Sequence, residues 1–533
     1  MLEISKAMAF SLTGISPGST SILYVAVLIC SALVLVFYKS CYNGHTLPLP
    51  PGPAPLPIIG NLHQLTGNPY EKFEKWHKKY GPFISLRAGQ RTVIVIGSYE
   101  TAHALLDKQS AVYSSRPELH IASKHLAKNM SMALLPFSKK WQVHRRIVVS
   151  LLNSAVNKRY QYVQDIESKQ VVHDLLTSQD FSSSFERYST SLVFTLAYGI
   201  RLESIIRPEI SEMRFVIHCL LEGLKNITMA VVELFPVLDY LPGFIAPWKQ
   251  FWQERHNRTI QFLRKNLHYA LSTQKSSWTW AREVQQALHN AGETDDAQVA
   301  YLVGTMNEAA VETTLGTLRT AIKALLSNPA VAKKAQQEID SIVGSDRLPQ
   351  FEDLPKMPYM EALMKEVLRW QPVTPLGAPH STDTDQEYMG YRIPQGSIIM
   401  QNFYTMVHDS NVCPEPYQFK PERWLETPDL QVFSPFGYGR RKCPGEYMGK
   451  NSLFIVVSRI LWAYNINHMI RDGQTVEVDE WDIEHHFTSA PAPFEVSFEV
   501  RDERRREIIE REFQGIEKDA SRILHEIAPE CND

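Results

Sequence analysis

Hydrophobic and polar positions divide this chain into an apolar lead, a long amphipathic body and a charged tail. No charged residue occurs between Lys6 and Lys39, and Ser21 to Tyr38 (SILYVAVLICSALVLVFY) is almost wholly apolar. A helix needs roughly 20 such residues to cross a bilayer, so residues 21–39 predict one retained transmembrane anchor behind a short lead at 1–20. A cleaved signal peptide fits poorly, because the run is long and no clear small-residue cleavage site follows it. Lys39, just past the run, favours a cytosolic position for the bulk of the chain. Residues 40–60 then carry LPLPPGPAPLPIIG, whose prolines exclude helix and central strand and favour a stiff segment. They predict a hinge that holds the downstream domain at a fixed orientation to the membrane.

Residues 61–500 read as one mainly α domain with a small β region. Phe83–Leu86 and Thr92–Ile96 flank Gly89 and predict a hairpin. Helical periodicity dominates afterwards, around Trp141–Leu152, Asp295–Leu326, Pro329–Val343 and Met357–Arg369. Leu234–Trp248 is strongly apolar but holds three prolines. It is either buried or dips into a membrane beside the anchor, and the prolines favour the second. Past Val500, Ile509, Phe513, Ile516, Ile523 and Ile527 recur at helical spacing. Residues 501–533 therefore predict a charged amphipathic helix docked on the main domain.

Composition adds exclusions. The 533 residues are 44% hydrophobic and 21% charged, which is globular. A net charge of -3 offers no basic excess for phosphates, so nucleic acid is not a partner. The six cysteines are scattered without a CxxC pair, which argues against a disulfide framework or a zinc site and for a reducing compartment.

One cysteine stands apart. In Phe436-Gly-Tyr-Gly-Arg-Arg-Lys-Cys443-Pro-Gly445, glycines permit tight turns and Arg440, Arg441 and Lys442 lie beside the thiol. Backbone N–H groups, those cations and the helix amino terminus that follows would lower the Cys443 pKa and hold a thiolate. Elsewhere Glu366 and Arg369 are spaced to pair on one helical face. Ala309-Ala-Val-Glu312-Thr313-Thr314 places an acid beside a hydroxyl, a pair suited to moving protons.

The run from Phe436 to Gly445 resembles the cysteine-ligand loop of the cytochrome P450 family at Phe436, Gly439, Arg441, Cys443 and Gly445. That resemblance extends from the anchor and proline hinge to about Val500. It implies a cytochrome P450 fold preceded by the transmembrane helix, with haem (iron protoporphyrin IX) held by Cys443 as axial thiolate. It implies that Phe436 packs near the ligand and that Arg441, Trp141, Arg145 and His380 serve the haem propionates. Glu312 and Thr313 would be the acid–alcohol pair of oxygen activation, with Ala310 where the family usually has glycine. Glu366, Arg369 and Arg423 (in Pro421-Glu-Arg-Trp) would form a buried structural network.

The implied activity is monooxygenation of a hydrophobic small molecule, with electrons from NADPH through a separate cytochrome P450 reductase. Lys140, Arg145, Arg146, Arg440 and Lys442 would give that acidic partner a basic docking face. The tail and the Leu368–Gly377 segment are similar to those of fungal secondary-metabolism members, which suggests a terpenoid, polyketide or prenylated alkaloid substrate. Substrate contacts would fall at Ala111–Ser131, Met306–Thr313, Thr374–Ala378 and Phe487–Ala490. The expected location is the endoplasmic-reticulum membrane, single-pass, with the catalytic domain in the cytosol and lipid around the anchor. A haem-thiolate isomerase or dehydratase needing no reductase is the alternative, though such enzymes commonly lose the acid–alcohol pair. A non-catalytic haem or ligand carrier is a further one, disfavoured by Cys443, Thr313 and the Glu366/Arg369 pair together.

Overall fold

A computed structural model describes residues 31, 47–65, 67–225, 232–233, 235–273, 278–485 and 487–528. Apart from Ser31, the expected anchor at 21–39 lies outside the described residues, as does the hinge before Leu47. No helix among the described residues is long and apolar enough to cross a membrane. The chain divides into a small unit, residues 1–49 with 387–392, and a large one, residues 50–386 with 393–533. In the small unit, the Arg392 amide donates to the Pro48 carbonyl at 2.8 Å.

In the large unit, the later prolines run along a sheet edge. The Ser85 amide donates to Pro51 O at 3.0 Å and the Ser85 hydroxyl to Pro50 O at 2.6 Å. Proline carbonyls can accept such bonds although the ring nitrogen cannot donate. The expected hairpin forms as β1 (Phe83–Ala88) and β2 (Arg91–Ile96), paired antiparallel from Phe83↔Ile96 to Ala88↔Arg91. Gly89 turns it at φ 59°.

The helical body then follows the apolar periodicity. Ser138 caps α1 (Lys139–Leu152), its hydroxyl accepting from Trp141 N at 3.2 Å. After α2 (Ser154–Asp174) comes α3 (Phe181–Tyr198), buried along most of its length. Asp295 caps α4 (Asp296–Ser327), accepting from Ala297 N at 2.9 Å. At 1.5 Å per residue α4 is about 48 Å long, and it packs against α3 as the central axis of the core. Next come α5 (Pro329–Val343), α6 (Pro358–Trp370), β3 (His380–Ser381) and β4 (Ile398–Gln401). These bounds fall within a residue or two of the periodic segments, because caps and prolines set them.

The four-stranded sheet runs β1-β2-β4-β3. β4 joins β2 in parallel, Val93↔Ile398 onward, so strands some 300 residues apart close one layer. α7 (Glu446–Ala463) starts directly after the cysteine loop and packs on α2 and α4. A short hairpin follows, β5 (Ile483–His485) and β6 (Ser489–Pro491).

The tail departs from expectation: it is two helices, α8 (Glu503–Gln514) and α9 (Ala520–Ile527). Gly515 follows α8, and the Asp519 carboxylate starts α9 by accepting from Ser521 N at 2.8 Å. The apolar stripe does dock. Ile509, Ile516, Ile523 and Ile527 are buried, and Phe513 stacks on His173 with ring centroids 3.7 Å apart.

Leu234 is outside the described residues, but the rest of its segment forms a short 3-10 turn, Pro236–Tyr240, before the helix Pro247–Thr273. Val237, Tyr240, Phe244 and Ile245 are exposed. Of its two expected positions, burial in the core does not hold for these residues.

Candidate active site

The cysteine loop is shaped by its glycines. Gly437 and Gly439 have φ of 76° and 52°, in the left-handed region. A Cβ on Gly439 would stand 2.4 Å from the Leu106 carbonyl oxygen and 2.6 Å from Ser110 Cβ. The loop closes where Cys443 N donates to Phe436 O at 2.7 Å. Cys443 retains exposed surface, yet burial pushes its thiol up. Both hold because that surface faces an internal cavity of about 230 Å³, which Cys443 lines with Phe436 and Arg441.

The cations around this thiol are not all those expected. The Gly445 N–H and then Arg145 oppose the upward shift, with Lys442 behind them. Arg440 instead lies over the Phe137 ring at 5.2 Å, and Arg441 over the Trp141 ring at 4.0 Å. Lys442 pairs with Glu446 at 2.8 Å. The net direction is therefore up, against the lowering expected from the sequence, because desolvation outweighs the opposing groups in this crowded surround.

The cations Arg441 and Arg116 also line the cavity. Arg441 donates to the carbonyls of Ser114 and Leu135, both at 2.7 Å. Arg116 donates to Ala378 O at 2.8 Å and Pro379 O at 2.6 Å. Burial pulls Arg116 down to about 10. It pulls Arg441 to about 8, with repulsion from Arg116 and Arg145 adding to the effect. Arg145 itself donates to the Lys442 carbonyl. Among the described residues none of these three guanidiniums has a carboxylate partner within salt-bridge distance. Buried cations without anions are costly. A ligand carrying carboxylates beside a thiolate-seeking metal answers both the thiol and the cations of this cavity, so the residues fit haem.

His380 sits beside them on β3, fully enclosed. Its Nδ1 donates to Tyr113 O at 2.6 Å, and burial holds its pKa well below the usual value. The neutral ring therefore has its proton on Nδ1, and Nε2 becomes a donor only when an anion draws a second proton onto it. Trp141 is buried under Arg441, so of the expected haem partners it serves as a platform.

On α4 the acid and alcohol part company. Thr313 lines the cavity, its hydroxyl donating to Ala309 O at 2.7 Å. Glu312 points away from it and accepts from the Thr488 hydroxyl at 3.3 Å, with burial raising its pKa. Ala310 is partly buried and packs against the hydrophobic core. The apolar wall comes from Val373, Ala378 and Phe487, within or beside the expected segments, and from Leu453 on α7, outside them.

Glu366 gathers the expected network. Its Oε1 accepts from Arg369 Nη2 at 2.9 Å and Arg423 Nε at 3.0 Å, and its Oε2 from Arg369 Nε at 2.8 Å. Lys420 N and Trp424 Nε1 add bonds at 2.9 Å each.

Two charged residues escaped the sequence reading. Arg116 lay inside a stretch assigned to substrate, and a lone arginine among small residues was its only signal. Glu308 is buried one turn before Glu312 with its pKa raised to about 8 by burial. An acid in the middle of this helix was visible, but not its burial or its lack of an ion-pair partner among the described residues.

The family model described as Cytochrome P450 matches residues 50–498. The chain is 38% identical over 511 residues to the cytochrome P450 monooxygenase aneD of Aspergillus aculeatus, covering 95% of this chain and 98% of that one. It is 40% identical over 507 residues to the cytochrome P450 monooxygenase drtD of Aspergillus calidoustus, covering 94% and 96%. It is also 37% identical over 528 residues to the Echilunin cytochrome P450 monooxygenase of Aspergillus ruber, covering 97% and 96%. A zebra fish cytochrome P450 solved with abiraterone is similar at a TM-score of 0.68 and 22% identity, covering 81% of this chain and all of that one, and this supports the fold.

Proposed function

This chain belongs to the cytochrome P450 family and is a haem-thiolate monooxygenase, and we propose that it oxidises a hydrophobic product of fungal secondary metabolism. The single observation that carries the reading is the cavity that joins Cys443 to Thr313 and Phe487. The haem supplies activation of molecular oxygen, and thiolate ligation favours cleavage of the O–O bond.

The protein's own groups divide the remaining work. Cys443 is the metal ligand, held by the Phe436–Cys443 backbone bond. Arg441, Arg116, Arg145 and, once protonated, His380 neutralise the propionates. Thr313 stands at the cavity to hand on protons, with Glu312 behind it as their source. Phe487, Val373 and Ala378 exclude water and bind an apolar, ring-rich molecule such as a terpenoid, polyketide or prenylated alkaloid. An intact Thr313 at the cavity favours oxygen activation over a reductase-independent isomerase.

Electrons come from NADPH through a separate reductase. Arg146, Arg440 and Lys442 are exposed and fit an acidic partner, whereas Arg145 is turned inward. The apolar run at 21–39 anchors the chain in the endoplasmic-reticulum membrane with the catalytic domain in the cytosol. The exposed Val237, Tyr240 and Phe244 would rest in a lipid surface.

The carbon-monoxide difference spectrum of the reduced, membrane-bound protein tests the core of this reading. Wild type should give the red-shifted thiolate band, and Cys443→Ala should lose it. Retention of the band in that variant would sink the assignment of Cys443.

A further inference from the structure

The β5–β6 hairpin touches both the cavity and the acid of α4. Phe487 at its tip lines the cavity. The next residue, Thr488, is only 6% exposed, and its hydroxyl donates to Glu312 Oε1 at 3.3 Å. Ser489 then fastens the strand, donating from its amide to Val373 O at 2.8 Å, and Val373 is itself cavity wall. The helix approaches closely here because Gly316, one turn beyond Glu312, has no side chain. A Cβ there would stand 3.0 Å from Val373 Cγ2 and 3.7 Å from Ser489 O. Neighbouring helix positions point about 100° apart, so Thr313 faces the cavity while Glu312 faces the hairpin.

Thr488 is the one hydrogen-bond donor to Glu312 among the described residues. The charged groups around this acid are Arg319 on α4, Glu186 on α3 and Glu484 on β5. None forms an ion pair with it. Arg319 is held by the Ser182 hydroxyl at 2.9 Å.

We infer that Thr488 is a positioning residue, holding the Glu312 carboxyl on the hairpin side of α4 and linking it through Phe487 to whatever packs in the cavity. A ligand pressing on Phe487 shifts the hairpin tip and, through Thr488, the acid. This rests on the assignment of the cavity as the monooxygenase site and names a device that assignment does not require. Thr488 touches no reacting atom. Its effect is exerted through Glu312.

The test uses full-length, haem-loaded protein and infrared difference spectroscopy of the Glu312 carboxyl, its band identified by its absence in Glu312→Gln. In Thr488→Val the carbonyl band should move to higher wavenumber, as it does when a hydrogen bond is lost. Its protonation midpoint should rise by roughly one unit, because a donor to the carboxylate favours the ionised form. Thr488→Ser should restore both. Addition of 4-phenylimidazole, an apolar aromatic probe, should shift the band in wild type and leave it unmoved in Thr488→Val. A band indifferent to Thr488→Val, a Ser variant that fails to restore it, or equal ligand shifts in both proteins would overturn the inference. The carbon-monoxide band of each variant separates these outcomes from failure of the monooxygenase reading, which would remove that band from wild type as well.

Discussion

Glu366→Gln changes one atom at a carboxylate that gathers five hydrogen-bond donors. Glu366 and Arg369 are 0% exposed and Arg423 is 5% exposed, so water cannot replace what the substitution removes. Five donors converge on the two oxygens: Arg369 Nε and Nη2, Arg423 Nε, Lys420 N and Trp424 Nε1. An amide nitrogen facing Oε2's partners opposes Arg369 Nε and Trp424 Nε1, and facing Oε1's partners it opposes the other three. Either way at least two bonds become donor-to-donor contacts, and two buried guanidiniums lose their anion. Arg369 keeps the carbonyls of Val407 and Pro416, and Arg423 keeps that of Pro414, which satisfies geometry but not charge. Breaking a buried pair costs about 3–5 kcal/mol, a fifth or more of a stability of about 5–15 kcal/mol. The assay is urea unfolding of the detergent-solubilised protein, followed by circular dichroism and by loss of the haem band. The midpoint should fall in both signals together, with haem occupancy reduced in cells. A loss below about 1 kcal/mol would refute the network's structural role. Unchanged stability with altered turnover would refute it in favour of a chemical one.

Three further outcomes follow from the geometry. Gly439→Ala forces a Cβ against the Leu106 carbonyl and Ser110 at a left-handed φ. It should cost about 1–3 kcal/mol and reduce the fraction of protein showing the thiolate band, so a wild-type band amplitude would contradict the loop geometry. Thr313→Ala should keep haem and the thiolate band while product formation falls on the order of 10²-fold and peroxide per NADPH rises. Fully coupled turnover would show that Thr313 is not needed. Glu308→Gln tests a buried acid whose pKa is raised from 4.5 to about 8. The unfolded chain ionises first, so wild type loses stability as pH climbs from 4.5 towards 8 and the amide does not. The variant should be more stable than wild type at alkaline pH by up to about 5 kcal/mol in unfolding free energy, and the gain should vanish near pH 4.5. A gain that is the same at both ends would mean the acid is not buried as the structure has it.

Much of this molecule was readable without coordinates because its signals are local. The hairpin at Gly89, the helices at Trp141–Leu152 and Pro329–Val343 and the turn chemistry of Phe436–Gly445 depend on periods, caps and glycines within one stretch of chain. The tail's apolar stripe was equally visible. Its division into α8 and α9 was not, since a continuous stripe says which residues dock and not whether the backbone bends between them.

The amino-acid sequence by itself singled out Cys443, the helical body and the Glu312–Thr313 pair, since each is encoded in short patterns. Only the tertiary structure decided which cations surround the thiol and which turn away to Phe137 and Trp141, that Arg116 joins Arg441 without an anion, and that Glu312 turns to Thr488 while Thr313 faces the cavity. Those facts depend on burial and on partners hundreds of residues apart. Desolvation and pairing set charge behaviour, and a chain acquires both only when it has folded.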